Sequence, residues 1–173
     1  FLPISFNLCF KIFNIDLIFE SFFNLVSKYC SNNIKLIIDG PMDNYHIEFE
    51  ELKNRFRHSN ILVLPSVISE EKSYLFNKID SFLLPSHSEG FSIAALEAIS
   101  YGKACIFSKN IGFSNEALKV NAALICDLNI KSLEEKMSLL INNLDLNILL
   151  KINSRSFFLD NYQIEDIANR YYK

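Results

Sequence analysis

Short apolar runs alternate along the chain with longer segments in which apolar residues recur at helical spacing. The runs are four or five residues long, are rich in Ile, Leu, Val and Phe, and occur at 34–38, 61–64, 81–84, 104–107 and 122–126. Runs of this length that end near a polar or turn-forming residue are typical of strands buried on both faces, as in a parallel sheet. The pattern therefore predicts five strands.

The segments between these runs predict helices at 16–29, 45–56, 69–78, 92–101, 132–142, 146–160 and 164–172. The helix at 92–101 is expected to stop at Gly102, a residue that favours helix ends. Strands that alternate with helices predict an α/β fold, a Rossmann-like doubly wound parallel sheet. Because no repeat or linker divides the sequence, residues 1–173 are expected to form one domain.

Composition narrows the class of protein. Of 173 residues, 50% are hydrophobic and 21% charged, and the net charge is -3. This mild acidity argues against nucleic acid as the main partner. No apolar stretch reaches the length of about 18 residues that a membrane-spanning helix needs. The apolar run at 1–10 lacks the basic start of a signal peptide.

The four cysteines, Cys9, Cys30, Cys105 and Cys126, are widely spaced and form no CxxC pair. This spacing predicts reduced, mostly buried thiols rather than a disulfide framework or a zinc site. His46 and His58 lie in polar segments and are expected at the surface, whereas His87 is expected to face a cleft. The chain begins at Phe1 rather than Met, and we expect it to be a fragment of a longer protein.

The segment 79–110 carries the clearest chemistry. A predicted strand runs into a loop at 85–90, and a helix begins near Ser92. Ligands of doubly wound sheets bind at such loops, and a helix start offers free N–H groups that suit a phosphate. Gly90 lets the backbone approach a ligand without an intervening side chain.

Two carboxylates belong to this segment. Glu97 lies about 7 Å along the helix from Ser92 and can accept hydrogen bonds from a ribose diol. The helix is apolar nearly all round, so we expect it to be buried. The alternative is that Glu97 reaches solvent or pairs with a lysine such as Lys103. Glu89, in the loop, is either a ligand of sugar hydroxyls or a solvated charge.

The stretch PSHSEGFSIAALEAISYGKACIFS resembles the signature of family-four glycosyltransferases, retaining enzymes of the GT-B fold. The signature embeds a Glu-x7-Glu pair, here Glu89 and Glu97, in Pro-Ser-x-x-Glu-Gly-Phe and Glu-Ala followed by Gly. IKLIIDG at 34–40 also resembles the family, and Gly112 with Glu116 resembles its Gly-x-x-Glu stretch, here with three intervening residues. The resemblance covers about residues 11–172.

The resemblance implies that this chain is the donor-binding domain of a glycosyltransferase whose acceptor domain is absent. It implies that Glu89 is the catalytic residue that contacts the donor sugar, and that Glu97 holds the ribose. The other implied donor contacts are the backbone N–H groups of Gly90, Phe91 and Ser92, together with Pro65 and Val67 at the nucleobase.

The family also implies a sugar–nucleotide diphosphate donor, a metal-independent site without a cofactor, and a glycan or lipid-linked acceptor. By the same resemblance, we expect a cytoplasmic protein, with any contact to the cytoplasmic membrane made by the missing domain. The context that the resemblance suggests is synthesis of a polysaccharide or lipopolysaccharide.

The start of the chain departs from the family. The family carries an Arg after the first strand and Lys-Gly before the first helix, cations that neutralise the diphosphate. Here Phe13 and Asn14 replace Lys-Gly, the Arg position falls near Phe6, and Lys11 is the candidate substitute. A different register, an impaired site or a damaged start would each explain the departure. A non-catalytic nucleotide-binding or interaction domain of GT-B fold is therefore the rival hypothesis.

Overall fold

A computed structural model describes residues 6–11, 14–29, 33–39, 51, 54, 60–64, 67 and 69–163. Its centre is a parallel sheet of six strands. The strands are β1 Phe6–Lys11, β2 Ile34–Asp39, β3 Ile61–Leu64, β4 Ser81–Leu84, β5 Ala104–Ser108 and β6 Ala123–Cys126. All five predicted strands are present, with ends that differ by at most one residue.

The strand order across the sheet is β3-β2-β1-β4-β5-β6. The chain builds outwards from β1 to β3, returns to the centre, and then builds outwards in the other direction from β4 to β6. This order confirms the predicted doubly wound α/β fold. The reversal lies between β1 and β4, and crevices at such switch points are where this fold binds ligands.

The helices are α1 Ile15–Tyr29, α2 Ser69–Lys78, α3 Ile93–Ser100, α4 Ser114–Lys119, α5 Ile130–Asn142 and α6 Leu144–Asn161. Five of them correspond to predicted helices, and α4 was not predicted. The helices predicted at 45–56 and 164–172 lie outside the described residues, apart from two positions at 51 and 54.

Two hydrophobic clusters cover the two faces of the sheet. One joins the apolar faces of α1 and α5 to β2, through fully buried residues such as Phe19, Phe22 and Met137. The other joins α2, α3 and α4 to β4 and β5 around Phe82 and Phe107. Burial of this apolar surface is the main favourable term in folding, and it fixes the strand ends that form the switch point.

The sequence suggested that helix α3 is buried on all sides, and this expectation is wrong. Ala95, Ala98 and Ile99 are buried against the sheet, but Ile93 is 68% exposed and Glu97 is about one-third exposed. The helix therefore presents a solvent-facing side that includes Glu97. Its end is as predicted, because Gly102 adopts a φ of 62°, a conformation that favours glycine.

Cys105 and Cys126 are free and buried, as predicted, whereas the side chains of Cys9 and Cys30 lie outside the described ones. Burial raises the pKa of the Cys105 thiol well above its usual range and that of Cys126 to about 11. Among the described residues, no helix is long and apolar enough to span a membrane.

Candidate functional site

The candidate site lies where β1 and β4 are neighbours and each strand passes into a loop at its carboxyl end. Pro85 follows β4, and Asn14 lies between β1 and α1. The Asn14 side chain donates a hydrogen bond of 2.7 Å from Nδ2 to the carbonyl oxygen of Pro85. This bond joins the two sides of the crevice directly, so their spacing is fixed by the fold.

The β4–α3 loop, residues 85–92, is held by the segment 108–112 that follows β5. Ser108 Oγ donates to the Ser86 carbonyl at 2.6 Å, and Asn110 Nδ2 donates to the His87 carbonyl at 2.7 Å. The backbone N–H of Glu89 donates to the Asn110 carbonyl at 3.2 Å. The loop is thus pinned along most of its length by bonds to a neighbouring segment.

Gly112 also supports the loop, because its backbone lies very close to that of Gly90. Its N–H donates to the Glu89 carbonyl at 3.0 Å, and a Cβ atom at position 112 would lie 1.8 Å from the Gly90 carbonyl oxygen. Only glycine can therefore occupy position 112 without displacing the loop. Gly90 itself has open space around its Cβ direction, so the loop backbone is accessible from the crevice.

The start of α3 offers several unpaired donors. Ser92 caps the helix, with Oγ accepting from the Ala95 N–H at 3.4 Å. Within the described chain, the N–H groups of Gly90, Phe91 and Ser92 donate no hydrogen bond to a protein acceptor. Unpaired N–H groups at the positive end of a helix dipole are suited to bind an anionic group.

A cluster of aromatic rings packs against the Phe91 side chain of the β4–α3 loop. The Phe91 ring makes edge contacts with Phe113 at 6.1 Å and with Tyr162, from the end of α6, at 5.9 Å. Phe91 nevertheless remains 57% exposed. Its backbone is therefore anchored from one side, while the other side of the ring stays open to solvent.

Glu97 forms an ion pair with Lys72 of α2. Lys72 Nζ lies 3.0 Å from Oε1 and 3.1 Å from Oε2, so it binds both carboxylate oxygens. Lys103, the partner suggested by the sequence, instead donates to the Ile79 carbonyl at 3.0 Å. Desolvation, followed by the nearby Lys151 charge, lowers the pKa of Lys103.

The remaining carboxylate and histidine of the loop occupy different surroundings. Glu89 is partly exposed, and its backbone forms a bridge to Ile111. His87 is exposed at the loop tip. Glu89 thus lies in the loop just before Gly90 and the α3 start, and its predicted contact with a donor sugar stays a prediction.

Val67 lies beyond the carboxyl end of β3, on the same sheet face as α3. It is buried in the cluster that also contains Ala95 and Ala98. Its backbone N–H donates a hydrogen bond to Asp39 Oδ1 at 3.0 Å, so this N–H is not free to bind a ligand. Pro65, His46 and His58 lie outside the described residues, so the predictions for them stay predictions.

The structure corrects the alignment at the start of the chain. Phe6 is the first residue of β1, at the opposite end of the strand from the crevice, so it does not occupy the position after the first strand. Lys11 ends β1, and its Cα is paired with that of Asp39 at the carboxyl edge of the sheet. Lys11 therefore lies at the edge of the sheet where the crevice is. Phe13 lies outside the described residues.

Asn14 supports the alignment at the family's glycine position. Its φ is 51°, a left-handed conformation that glycine adopts freely and that asparagine tolerates better than most residues. In the sequence, Asn14 is only a departure from the family's Lys-Gly. The structure shows that it keeps the backbone turn of a glycine and adds a hydrogen bond to Pro85.

Two residues of the site were missed by sequence reasoning. Lys72 follows an acidic helix start and looks like a surface lysine, and Asn110 lies in a loop. Neither has a sequence signal, because both contacts join positions more than 20 residues apart, 25 for Lys72 with Glu97 and 23 for Asn110 with His87. In the described part of the chain, no group of three or more His, Cys, Asp or Glu lies together as metal ligands.

The strand order defines a doubly wound domain with a candidate site at its switch point. Comparisons with known proteins identify the family of this domain. Residues 11–157 match the family described as glycosyl transferases group 1. The chain belongs to this family, and the expected relation to GT-B glycosyltransferases is confirmed.

The chain is also similar to a curated protein in sequence and to a solved structure in fold. Over 100 residues, 57% of this chain and 26% of the relative, the chain is 36% identical to the N,N'-diacetylbacillosaminyl-diphospho-undecaprenol alpha-1,3-N-acetylgalactosaminyltransferase of Campylobacter jejuni. The C-terminal domain of the glycosyl transferase LpcC from Francisella tularensis has a TM-score of 0.80 at 17% identity, with coverage of 94% of this chain and 89% of that one.

A second similar structure carries ligands. Anabaena HepE in complex with UDP and glucose has a TM-score of 0.83 at 13% identity, and the match covers 96% of this chain and 47% of that one. The chain spans between 26% and 41% of the length of the curated relatives it matches.

Proposed function

We propose that this chain binds a nucleotide-diphosphate sugar in the crevice between β1 and β4, and forms the donor-binding domain of a retaining, family-four glycosyltransferase. The observation that carries the proposal is the set of unpaired N–H groups at Gly90, Phe91 and Ser92, at the start of α3. In the proposed complex the diphosphate lies against these donors, at the positive end of the α3 dipole.

The proposed roles follow the geometry of the loop and helix. The diphosphate lies at the start of α3, and Glu97 accepts hydrogen bonds from the ribose hydroxyls about 7 Å further along the helix. Glu89, one residue before Gly90, contacts the hydroxyls of the donor sugar. Val67, and Pro65 before it, border the space for the nucleobase.

In this proposal the bond between the anomeric carbon and the diphosphate oxygen breaks, and the anomeric carbon forms a new bond to a hydroxyl oxygen of the acceptor. The hydroxyl proton passes to the departing diphosphate. Negative charge then develops on the departing diphosphate, and fixed N–H dipoles that already point there stabilise it without reorganisation. The β4–α3 loop is held by the segment 108–112, so these dipoles are pre-organised. No metal ion or cofactor enters the proposed site.

The acceptor belongs to the wider proposal. Relatives that act on a diphospho-undecaprenol-linked sugar or take part in lipopolysaccharide biosynthesis favour a glycan or lipid-linked acceptor in polysaccharide synthesis. We propose that a separate acceptor domain supplies that site and any contact with the cytoplasmic face of a membrane.

Thermal stabilisation by nucleotides tests the donor site. The chain is melted with UDP, GDP, ADP and CDP and with the matching nucleotide sugars. A ligand at 100 times its dissociation constant should add about 2.7 kcal/mol of stability. The expected result is stabilisation by the nucleotides of one base, lost in Glu97→Ala and kept in Glu135→Ala, a control on the opposite face of the sheet.

Stabilisation by no nucleotide, or equal stabilisation of Glu97→Ala and the parent chain, would contradict the proposed site. The control separates the two carboxylates by position, because Glu135 is exposed on α5 and lies away from the crevice. Both variants remove one negative charge, so a difference between them reports on Glu97 itself.

A second candidate function is nucleotide binding without sugar transfer. It is favoured by Phe13 and Asn14, which stand where the family has Lys-Gly. Comparing a nucleoside monophosphate with its diphosphate separates the two functions. A donor site should gain affinity from the second phosphate, whereas a degenerate site should not. Gain of affinity in Phe13→Lys would identify the missing cation.

A further inference from the structure

Lys72 and Glu97 form a contact that the proposed chemistry does not yet use. Lys72 Nζ donates to both oxygens of the carboxylate, at 3.0 and 3.1 Å, and each side chain is about one-third exposed. Contact with both oxygens holds the carboxylate end of Glu97 beside α2. It therefore restricts the directions that the Glu97 side chain can take.

The two helices that carry this pair are held together by further contacts. On α2, Ser73 Oγ lies 2.7 Å from the hydroxyl of Tyr101, and the Phe76 ring stacks on the Tyr101 ring at 4.9 Å. The Phe76 ring also contacts Phe82 of β4 at 6.0 Å. The backbone beneath Lys72 is therefore fixed relative to α3, and the ion pair is not an incidental contact between mobile side chains.

The carboxylate keeps capacity for a ligand. A carboxylate has about four lone-pair positions, and a lysine that binds both oxygens occupies two of them. The two that remain suit a pair of adjacent hydroxyl donors. Glu97 is about one-third exposed, so its side chain is accessible from solvent.

Charge gives Lys72 a second effect on the same carboxylate. An uncompensated Glu97 would repel a diphosphate bound at the α3 start, about 7 Å away along the helix. Pairing with Lys72 cancels that charge locally. Such compensation matters more in this chain, because Phe13 stands where the family carries a lysine.

We propose that Lys72 is a positioning residue that orients the Glu97 carboxylate for the two ribose hydroxyls, so that the site selects ribonucleotides over 2′-deoxyribonucleotides. The inference rests on the proposed function, since it assigns Glu97 to the ribose. It adds a residue of α2 to a site otherwise built from the β4–α3 loop.

The test measures nucleotide affinity rather than stability. Dissociation constants are determined by calorimetry for UDP, GDP, ADP and CDP, and then for the 2′-deoxy form of the nucleotide that binds. Loss of one hydrogen bond to a charged acceptor should weaken binding of the deoxy form roughly tenfold in the parent chain. In Lys72→Met, which keeps the length of the side chain, this preference should fall to about twofold or less.

Two further variants make the result specific. Lys72→Arg keeps a cation that can contact both carboxylate oxygens, and it should restore most of the ribose preference. Lys78→Met removes the same charge from the other end of α2, where Lys78 lies over the Tyr74 ring, and it should leave the preference unchanged. Melting curves confirm that all variants are folded.

The outcomes separate the two proposals. Absence of binding by every nucleotide to the parent chain contradicts the donor site and the role of Lys72 with it. Binding with the same ribose preference in Lys72→Met as in the parent chain contradicts the role of Lys72 alone. A stronger preference in Lys72→Met also contradicts it, because Lys72 would then compete with the ribose for the carboxylate.

Discussion

The two sides of the crevice are built in different ways. The side formed by the β4–α3 loop presents backbone N–H groups, and a second segment at 108–112 fixes them by hydrogen bonds. On the other side, between β1 and α1, the described residue is Asn14, and its amide is bonded to the β4–α3 loop. One side carries the family's motif, and the other departs from it.

The difference shows which features of such a site depend on side chains. Backbone donors at the start of α3 survive almost any substitution in the loop, provided that the loop keeps its shape. Cations that neutralise a diphosphate must be present as side chains, so a change of sequence removes them at once. A chain can therefore retain a well-formed donor loop while its electrostatics toward phosphate have changed.

Gly112→Ala should produce the largest effect, because it attacks the support of the loop. The new Cβ would lie 1.8 Å from the Gly90 carbonyl oxygen, a distance that forces the backbone to move. We expect a loss of about 3 kcal/mol in the free energy of unfolding and weaker nucleotide binding. Chemical denaturation and calorimetry measure the two effects.

Gly102→Ala is the matched control for this prediction. Gly102 has a positive φ at the far end of α3, away from the crevice. Its replacement should destabilise the fold by about 1 kcal/mol without changing nucleotide affinity once the protein is folded. Equal losses of affinity in both variants would show that general stability, and not the loop position, controls binding.

Substitution at Asn14 tests the other side of the crevice. Asn14→Ala loses the bond to Pro85 and forces a β-carbon residue without a compensating side chain into a φ of 51°. We expect a loss of about 2 kcal/mol. Asn14→Gly loses only the bond and should cost about 1 kcal/mol. Denaturation curves of the two variants separate the hydrogen bond from the backbone strain.

If Asn14→Gly were as damaging as Asn14→Ala, the bond across the crevice would be the main contribution of this residue. If it were as stable as the parent chain, Asn14 would matter only through its backbone conformation. In either case, nucleotide affinity should change less than in Gly112→Ala, because the α3 donors are supported by the segment 108–112 and not by Asn14.

Removal of the Ser92 hydroxyl should have a smaller effect, confined to helix stability. Ser92 Oγ caps α3 through the Ala95 N–H. Ser92→Ala should lower the free energy of unfolding by about 1 kcal/mol, and Ser92→Thr should retain most of it. Since the backbone N–H of residue 92 remains in both variants, nucleotide affinity should change little. A large loss of affinity in Ser92→Ala alone would assign the hydroxyl a direct contact with the ligand.

The sequence predicted the centre of the fold well, because its strands are short, apolar and buried on both faces. The strands at 61–64 and 81–84 have the predicted ends. β1 was not among the predicted strands, since its sequence FNLCFK is interrupted by Asn7 and continues an apolar start without a boundary. α4 was missed because six residues are too few to show a helical repeat.

The candidate site was predictable where it depends on local sequence. Glu89, Gly90 and Ser92 lie together because they are close in the chain and follow a strand. Lys72 could not be paired with Glu97 from the sequence, since their contact depends on how α2 packs on α3. The misplacement of Phe6 has a similar cause: its distance from the crevice is set by strand length, which a motif does not encode.

The smallest expected effect is a pH dependence of the contact between Tyr162 and the loop. Desolvation, with a further contribution from the Glu116 carboxylate, raises the pKa of the Tyr162 phenol. The folded chain therefore holds this proton more tightly than the unfolded chain. Stability from this group is complete below the unfolded pKa of about 10 and is lost as the pH rises through that value and the higher folded pKa.

Tyr162→Phe keeps ring contacts with Phe91 and Phe113 while removing the titrating group. From about pH 7 to pH 9, the difference in melting temperature between this variant and the parent chain should be constant. Above about pH 10 the parent chain should lose stability relative to the variant. Glu116→Gln should reduce that loss, because it removes the second cause of the pKa shift. A parent chain that gained stability with rising pH would show that ionised Tyr162 is stabilised in the folded state. The phenol would then not be desolvated by the aromatic residues that support the β4–α3 loop.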